Sequence, residues 1–142
     1  TAHHACVSDV VRKTNADIIG HFDLITKFNE GGKRFSESDP RYVEAAESAL
    51  SKLIPTNKIF EINTGAISRG YRTEPYPNDY FLNLIREMGG SVTYSSDAHN
   101  AKFVTLGFED AVKKAQKAGF KSFKKLCKSG MFQVKYWLLR II

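Results

Sequence analysis

Three side chains of this chain carry the donor types of a borderline metal site: His21, Asp97 and His99. Imidazole and carboxylate together suit Zn, Mn or Fe. Asp97-Ala98-His99 puts two donors at alternate positions, which in extended backbone point the same way. His21 closes a separate apolar run, Ile18-Ile19-Gly20, so it can meet them from a neighbouring strand. Asp-x-His is by itself a weak pattern. Asp97 as a cap with His99 on the surface accounts for it equally well, and a single His at a strand end is more often structural. Arg69 and Arg72 share a loop with Gly65 and Gly70. A guanidinium fork fits phosphate, although two solvated arginines are the plainer reading of that loop. The Gly-rich phosphate loop, the dinucleotide fingerprint and the nucleophile elbow are all missing. Cys6 lies near His3 and His4, but nothing supports a Cys–His pair.

These residues need strands to hold them. Val7 to Thr14 reads as a short helix and Asp17 to Gly20 as a short strand ending at His21. Residues 29–39 read as a polar loop. Asp39 then caps a helix that has Pro40 at its first position and runs to about Leu53. Its apolar face is Val43, Ala46, Ala49, Leu50 and Leu53. Lys58 to Ile62 is a second strand, ending at Asn63. Gly65 to Pro77 is an irregular loop, and Asn78 to Met88 a helix closed by Gly89-Gly90. Ser91 to Ser95 is a third strand, followed by Ser96-Asp97-Ala98-His99. Phe108 to Ala118 is a further helix ending at Gly119. Val134 to Ile142 suits either a strand or a helix. Strands alternating with helices predict an α/β fold with parallel strands and right-handed crossovers, as an open sheet or a barrel. His21, Asn63, Asp97 and His99 then fall at the C-terminal strand ends, the edge where such folds do chemistry.

Composition sets the outer bounds. Hydrophobic residues make up 42% and charged residues 25% of the 142, which excludes a disordered chain or a collagen. The size suits one domain. No apolar run approaches the ~18 residues of a membrane span, and no signal peptide is visible. Two cysteines, Cys6 and Cys127, make no disulfide framework; two free thiols and a cytoplasmic setting are expected. Residues 1–110 hold 12 of the 21 Lys/Arg and all 15 Asp/Glu, whereas residues 111–142 hold 9 basic and no acidic residues. Such a block can attract nucleic acid, but Phe120, Phe123 and Leu126 are interleaved as core residues would be, and a solvated face is the favoured reading.

Four segments together resemble the histidinol-phosphatase branch of the PHP (polymerase and histidinol phosphatase) superfamily. They are Ile18-Ile19-Gly20-His21-Phe22-Asp23-Leu24-Ile25-Thr26-Lys27-Phe28-Asn29, Phe60-Glu61-Ile62-Asn63-Thr64-Gly65-Ala66, Ser68-Arg69-Gly70-Tyr71-Arg72 with Pro75-Tyr76-Pro77, and Ser95-Ser96-Asp97-Ala98-His99. The resemblance covers about residues 7–120. It implies the C-terminal portion of a distorted (β/α)7 TIM-like barrel, the PHP fold. It also implies a cluster of two or three divalent ions (Mn, Zn or Fe) at the strand ends. The implied reaction is hydrolysis of L-histidinol phosphate to L-histidinol and phosphate, in histidine biosynthesis. By position, His21, Asp97 and His99 resemble the family's metal ligands, Arg69 a substrate-phosphate contact and Asn63 a pocket residue. Glu61, two residues before Asn63, is not assigned as a ligand. The implied mechanism is in-line attack by a metal-bound hydroxide, which needs no protein nucleophile.

The family's opening His-x-His is absent, since Thr1-Ala2-His3-His4 has the wrong spacing. A full barrel of this type takes roughly 250 residues. The whole chain, 1–142, is therefore expected to be a partial barrel domain, with 1–121 family-like and 122–142 an uncertain tail. The N-terminal metal motif would lie elsewhere. A small phosphomonoester is the expected partner, with no membrane and no favoured role for nucleic acid, and with an oligomer or a missing N-terminal half completing the site. Other readings are another PHP-type phosphoesterase, a basic nucleic-acid-binding module using residues 113–128, or a non-catalytic fragment.

Overall fold

The computed structural model describes residues 2–136. The chain opens with two short helices, α1 (Ala2–Ser8) and α2 (Val10–Thr14), broken at Asp9. The helix expected from Val7 thus begins five residues earlier and is interrupted. Asn15, in the left-handed region at φ 52°, ends it. Strand β1 (Ile18–Ile19) follows, then a loop with two 3-10 turns, then α3 (Pro40–Leu53). The Asp39 side chain accepts the Arg41 backbone N–H, so the expected cap is present. The face that α3 buries is Tyr42, Ala46, Ala49, Leu50 and Leu53, with Val43 only partly covered.

Strand β2 (Ile59–Asn63) is buried along its whole length. The loop after it, expected to be irregular, contains a helical turn, α4 (Gly65–Ser68). Helix α5 (Asp79–Glu87) is capped by Asn78, whose Oδ1 accepts from Phe81 N–H. Strand β3 (Ser91–Ser95) and helix α6 (Phe108–Lys117) follow at the expected places. Gly90 joins α5 to β3 where a Cβ would meet Ile85 Cγ2 at 2.6 Å and the Ile85 carbonyl oxygen at 2.9 Å. Only glycine permits that close approach.

The three strands form a parallel sheet in the order β1-β2-β3, with Ile18 opposite Ile59 and Glu61 opposite Thr93. Alternation then divides the sheet. Ile19, Phe60, Ile62 and Val92 point to the helices and join Leu50, Leu53, Phe81 and Ile85 in the core. Ile18, Glu61, Thr93 and Ser95 line the opposite face, on a cavity of about 590 Å3. The fold is mixed α/β, as expected.

The tail departs from the helix-strand alternation. Strand β4 (Ser122–Cys127) pairs with β5 (Gly130–Lys135) as an antiparallel hairpin. Residues Val134 and Lys135 of the ambiguous last segment are strand; residues 137–142 lie outside the described residues. The hairpin is tied to the sheet through aromatic rings, Tyr94 against Phe123 at 4.9 Å and Phe123 on Tyr136 at 5.6 Å between centroids. The Tyr94 and Tyr136 hydroxyls also meet. Cys6 and Cys127 are both free and exposed. Among the described residues, no helix is long and apolar enough to cross a membrane.

Candidate functional site

The parallel register carries residues from three strand ends to one edge of the sheet. His21 follows β1 with a left-handed backbone, φ 56°. Glu61 of β2 explains the turn: its Oε2 accepts the His21 backbone N–H at 2.8 Å and lies 3.6 Å from the ring Nδ1. Asn63, at the end of β2, is fully buried. Its Nδ2 reaches His21 Nδ1 at 3.4 Å, and its Oδ1 accepts the Gly65 N–H at 2.8 Å. His21 and Asn63 therefore meet, with Glu61 as the group between their strands.

Asp97 also adopts a left-handed backbone, φ 45°. The extended geometry expected to align Asp97 with His99 is thus not the one present. What brings the two together is Arg69. Its Nη2 donates to Asp97 Oδ2 at 2.7 Å, and its Nη1 lies 3.1 Å from the Asp97 carbonyl oxygen and 3.0 Å from His99 Nδ1. That same Nδ1 is 2.9 Å from the Asp97 carbonyl. The two contacts compete: a protonated Nδ1 donates to the carbonyl, whereas a bare Nδ1 accepts from Arg69. Partial burial pushes the Asp97 carboxyl up, but the hydrogen bond and charge of Arg69, with His21 and His99, outweigh it and hold the carboxyl below its ordinary value. Gly65 makes the pairing possible, since a Cβ there would stand 2.7 Å from Arg69 Nη2 and 2.8 Å from Asp97 Cβ.

Arg72 has a different task. Its Nη1 donates to the Thr26 carbonyl and to Glu37, and its Nε lies 3.8 Å from Glu30 Oε2. It ties the loop after β1 to the segment before α3. The phosphate-binding alternative for this residue therefore loses to a structural one.

Two residues that face the site were given no role from the sequence. Glu61 interrupts an apolar strand, Ile59-Phe60-Glu61-Ile62, and a charge at such a position is itself a signal. Tyr76 pairs its backbone with Asn63 in both directions and sets its ring 6.4 Å from that of His21. Its position between Pro75 and Pro77 marks a turn but gives no hint of the pairing.

Imidazole, carboxylate and amide oxygen are the right donor types for a divalent cation. Among the described residues no three of His, Cys, Asp and Glu gather as a ligand set. His21 faces Glu61, and Asp97 and His99 face Arg69.

No family model matches the chain. Over 115 residues, 80% of this chain, it is 32% identical to a probable histidinol-phosphatase of Schizosaccharomyces pombe, of which it covers 37%. Over 119 residues, 82% of this chain, it is 27% identical to a histidinol-phosphatase of Lactococcus lactis subsp. lactis, of which it covers 42%. The chain is thus related to histidinol phosphatases, and it spans about two fifths of the length of these curated relatives.

Proposed function

We propose, from this kinship, that the chain supplies one side of the active site of a histidinol phosphatase. It would be the C-terminal portion of a PHP-type barrel that hydrolyses L-histidinol phosphate to L-histidinol and phosphate in histidine biosynthesis. The supporting observation is the convergence of His21, Asn63, Arg69, Asp97 and His99 at one sheet edge in a chain related to these enzymes. A metal-dependent reaction is part of the proposal, with His21, Asp97 and His99 as this chain's ligands. The present arrangement does not hold an ion by itself, so further donors would have to complete the cluster.

The chain's own groups have definable tasks. Arg69 is the cationic group best placed to meet a phosphoryl oxygen, and its guanidinium would offset charge that grows during P–O cleavage. Asn63 and Glu61 hold His21 in place through the contacts at 3.4 Å and 2.8 Å. Water adds to phosphorus, the P–O bond to the alcohol breaks, and the alcohol oxygen takes up a proton. No Ser or Cys nucleophile is needed.

The test is phosphate release from L-histidinol phosphate with Mn²⁺ or Zn²⁺ added, comparing the chain with Arg69→Ala and His99→Ala. Release should fall about 100-fold or more when the charge-stabilising donor is removed. Equal release by the variants counts against the reading; a folded wild-type chain that releases none lacks the donors that the reading places outside it, and the same substitutions are then compared in the longer protein.

A further inference from the structure

The open face of the parallel sheet carries a cavity of about 590 Å3, a size within the about 300–1,000 Å3 of small-molecule pockets. Tyr94, Phe108 and Phe123 form an aromatic wall, with the Tyr94 ring 4.9 Å from Phe123 and 6.3 Å from Phe108 between centroids. Val112 of α6 lines it as well. Glu61 brings the one carboxylate to this lining among the described residues, opposite Thr93 in the register. Both contacts of Glu61 with His21 use Oε2, and the Glu61 side chain keeps 10% of its surface, so a ligand can reach the carboxylate. Lys124 and Lys125 line the hairpin side, where Lys124 Nζ donates to Gln133 Oε1 at 3.3 Å. The cavity is thus negative on the sheet side and positive on the hairpin side. Its sheet side is continuous with the candidate site. Glu61 accepts the His21 N–H, and Ser95, also in the lining, accepts the Asp97 N–H on its Oγ at 3.2 Å. Asp97 in turn holds Arg69 at 2.7 Å.

We infer that this cavity receives the organic end of the phosphomonoester, with its ammonium group on Glu61 and its ring against the aromatic wall, while the phosphate stays at the sheet edge by Arg69. This rests on the phosphatase reading and names the part of the site that selects the substrate. Charge sets the direction: Glu61 repels a phosphate and attracts an amine, to which it makes a charge-assisted hydrogen bond. A flat ring gains from edge or offset contact with aromatic side chains, and a cation gains over their faces. In L-histidinol phosphate the amine and the imidazole lie within a few bonds of the ester oxygen, so one molecule joins the edge to the cavity. Every group invoked belongs to this chain, so binding needs no donor from outside it.

The experiment is calorimetric titration of L-histidinol, which has the amine and the ring but no phosphate, into the folded chain and its variants. Glu61→Gln removes the charge and keeps an acceptor for the His21 N–H. Val112→Phe fills the cavity from α6 and leaves Glu61 in place; Thr93→Leu fills it from the sheet should Val112→Phe not fold. Glu87→Gln, which makes the same change of charge where Glu87 meets Arg86 outside the cavity, is the control. Glu61→Gln and the filled variant should each weaken L-histidinol binding about tenfold or more, and Glu87→Gln should bind as wild type. The inference is overturned if the folded wild-type chain shows no saturable binding, or if either Glu61→Gln or the filled variant binds as tightly as wild type. Binding that depends on both positions, without release of phosphate from L-histidinol phosphate, would leave the inference standing and count against the phosphatase reading. Phosphate release with a KM that the filled variant leaves unchanged would do the reverse.

Discussion

Asp23 sits fully buried beside the candidate site, where Tyr42 Oη donates to its Oδ1 at 2.8 Å. Burial pushes its carboxyl up to about 7, with Tyr42 opposing and Glu37 adding to the rise. His4 stands 3.9 Å away and is pushed down to about 4, by burial first and then by the charge of His3. Both are therefore neutral over much of the range between, and the contact is not an ion pair. The signs follow by linkage. Asp23 favours folding fully below its unfolded value of 3.8, and this is lost as pH rises toward about 7. His4 contributes fully above 6.5, and this is lost as pH falls toward about 4. The two trends oppose each other in one window. Asp23→Asn keeps an acceptor for Tyr42 and removes only the carboxyl's loss. Relative to wild type, the variant should gain stability progressively from pH 4 to 8 in urea unfolding. A difference that is flat across this range would show that Asp23 ionises in the folded protein as it does in the unfolded chain.

At the scale of elements, caps and close approaches govern. Asp39 caps α3 through the Arg41 N–H at 2.9 Å. Asp39→Ala should cost about 1 kcal/mol, read as a lower denaturation midpoint with unchanged slope. Gly90 is a stronger case, since a Cβ would press on Ile54 Cδ1 at 2.7 Å as well as on the Ile85 backbone. Side-chain ends can move but the carbonyl cannot do so cheaply. Gly90→Ala should therefore destabilise by about 1–3 kcal/mol, and an unchanged melting temperature would contradict this packing. Both features were readable, because Asp39-Pro40 and Gly89-Gly90 act on residues within a turn of themselves. The interruption at Asp9 and the helical turn at Gly65–Ser68 were not. Those segments carry too few residues for a period to register, and contacts with distant segments shape them.

For the molecule as a whole, β2 is the organising strand, buried from Ile59 to Asn63 between β1 and β3. Ile62→Ala should cost about 2–5 kcal/mol, as for other fully buried aliphatic truncations. Leu126, 68% exposed on the hairpin, should tolerate Ser within about 0.5 kcal/mol. If the two variants melted alike, the core would be misplaced. The basic end of the chain is also less available than its composition suggests. Lys114 pairs with Asp79 at 2.9 Å and Glu74 at 3.1 Å, and Lys117 with Asp79 at 2.9 Å. Acids from earlier in the chain thus face part of the positive block, which weakens the case for a nucleic-acid surface.

Sequence alone determined the features whose cause is local. The alternation of strands and helices, the Asp39 cap on α3, the Gly89-Gly90 stop after α5, and the placing of His21, Asn63 and Asp97 at strand ends all follow from neighbours a few residues apart. So did the resemblance to histidinol phosphatases, since it rests on short ordered segments. The tertiary structure decided which of these residues touch. Glu61 meets His21 across 40 positions and Arg69 meets Asp97 across 28, distances over which no periodicity speaks. Their pairing depends on the register of parallel strands, where shifting a strand by one residue would send every side chain to the other face. Asp97 adds a second reason: extended geometry was the natural expectation for Asp97-Ala98-His99, but a left-handed turn at Asp97 and the Arg69 guanidinium set the pair instead. The burial of Tyr76 belongs to the same class, because its backbone pairing with Asn63 exists only once the loop has folded back on the sheet edge.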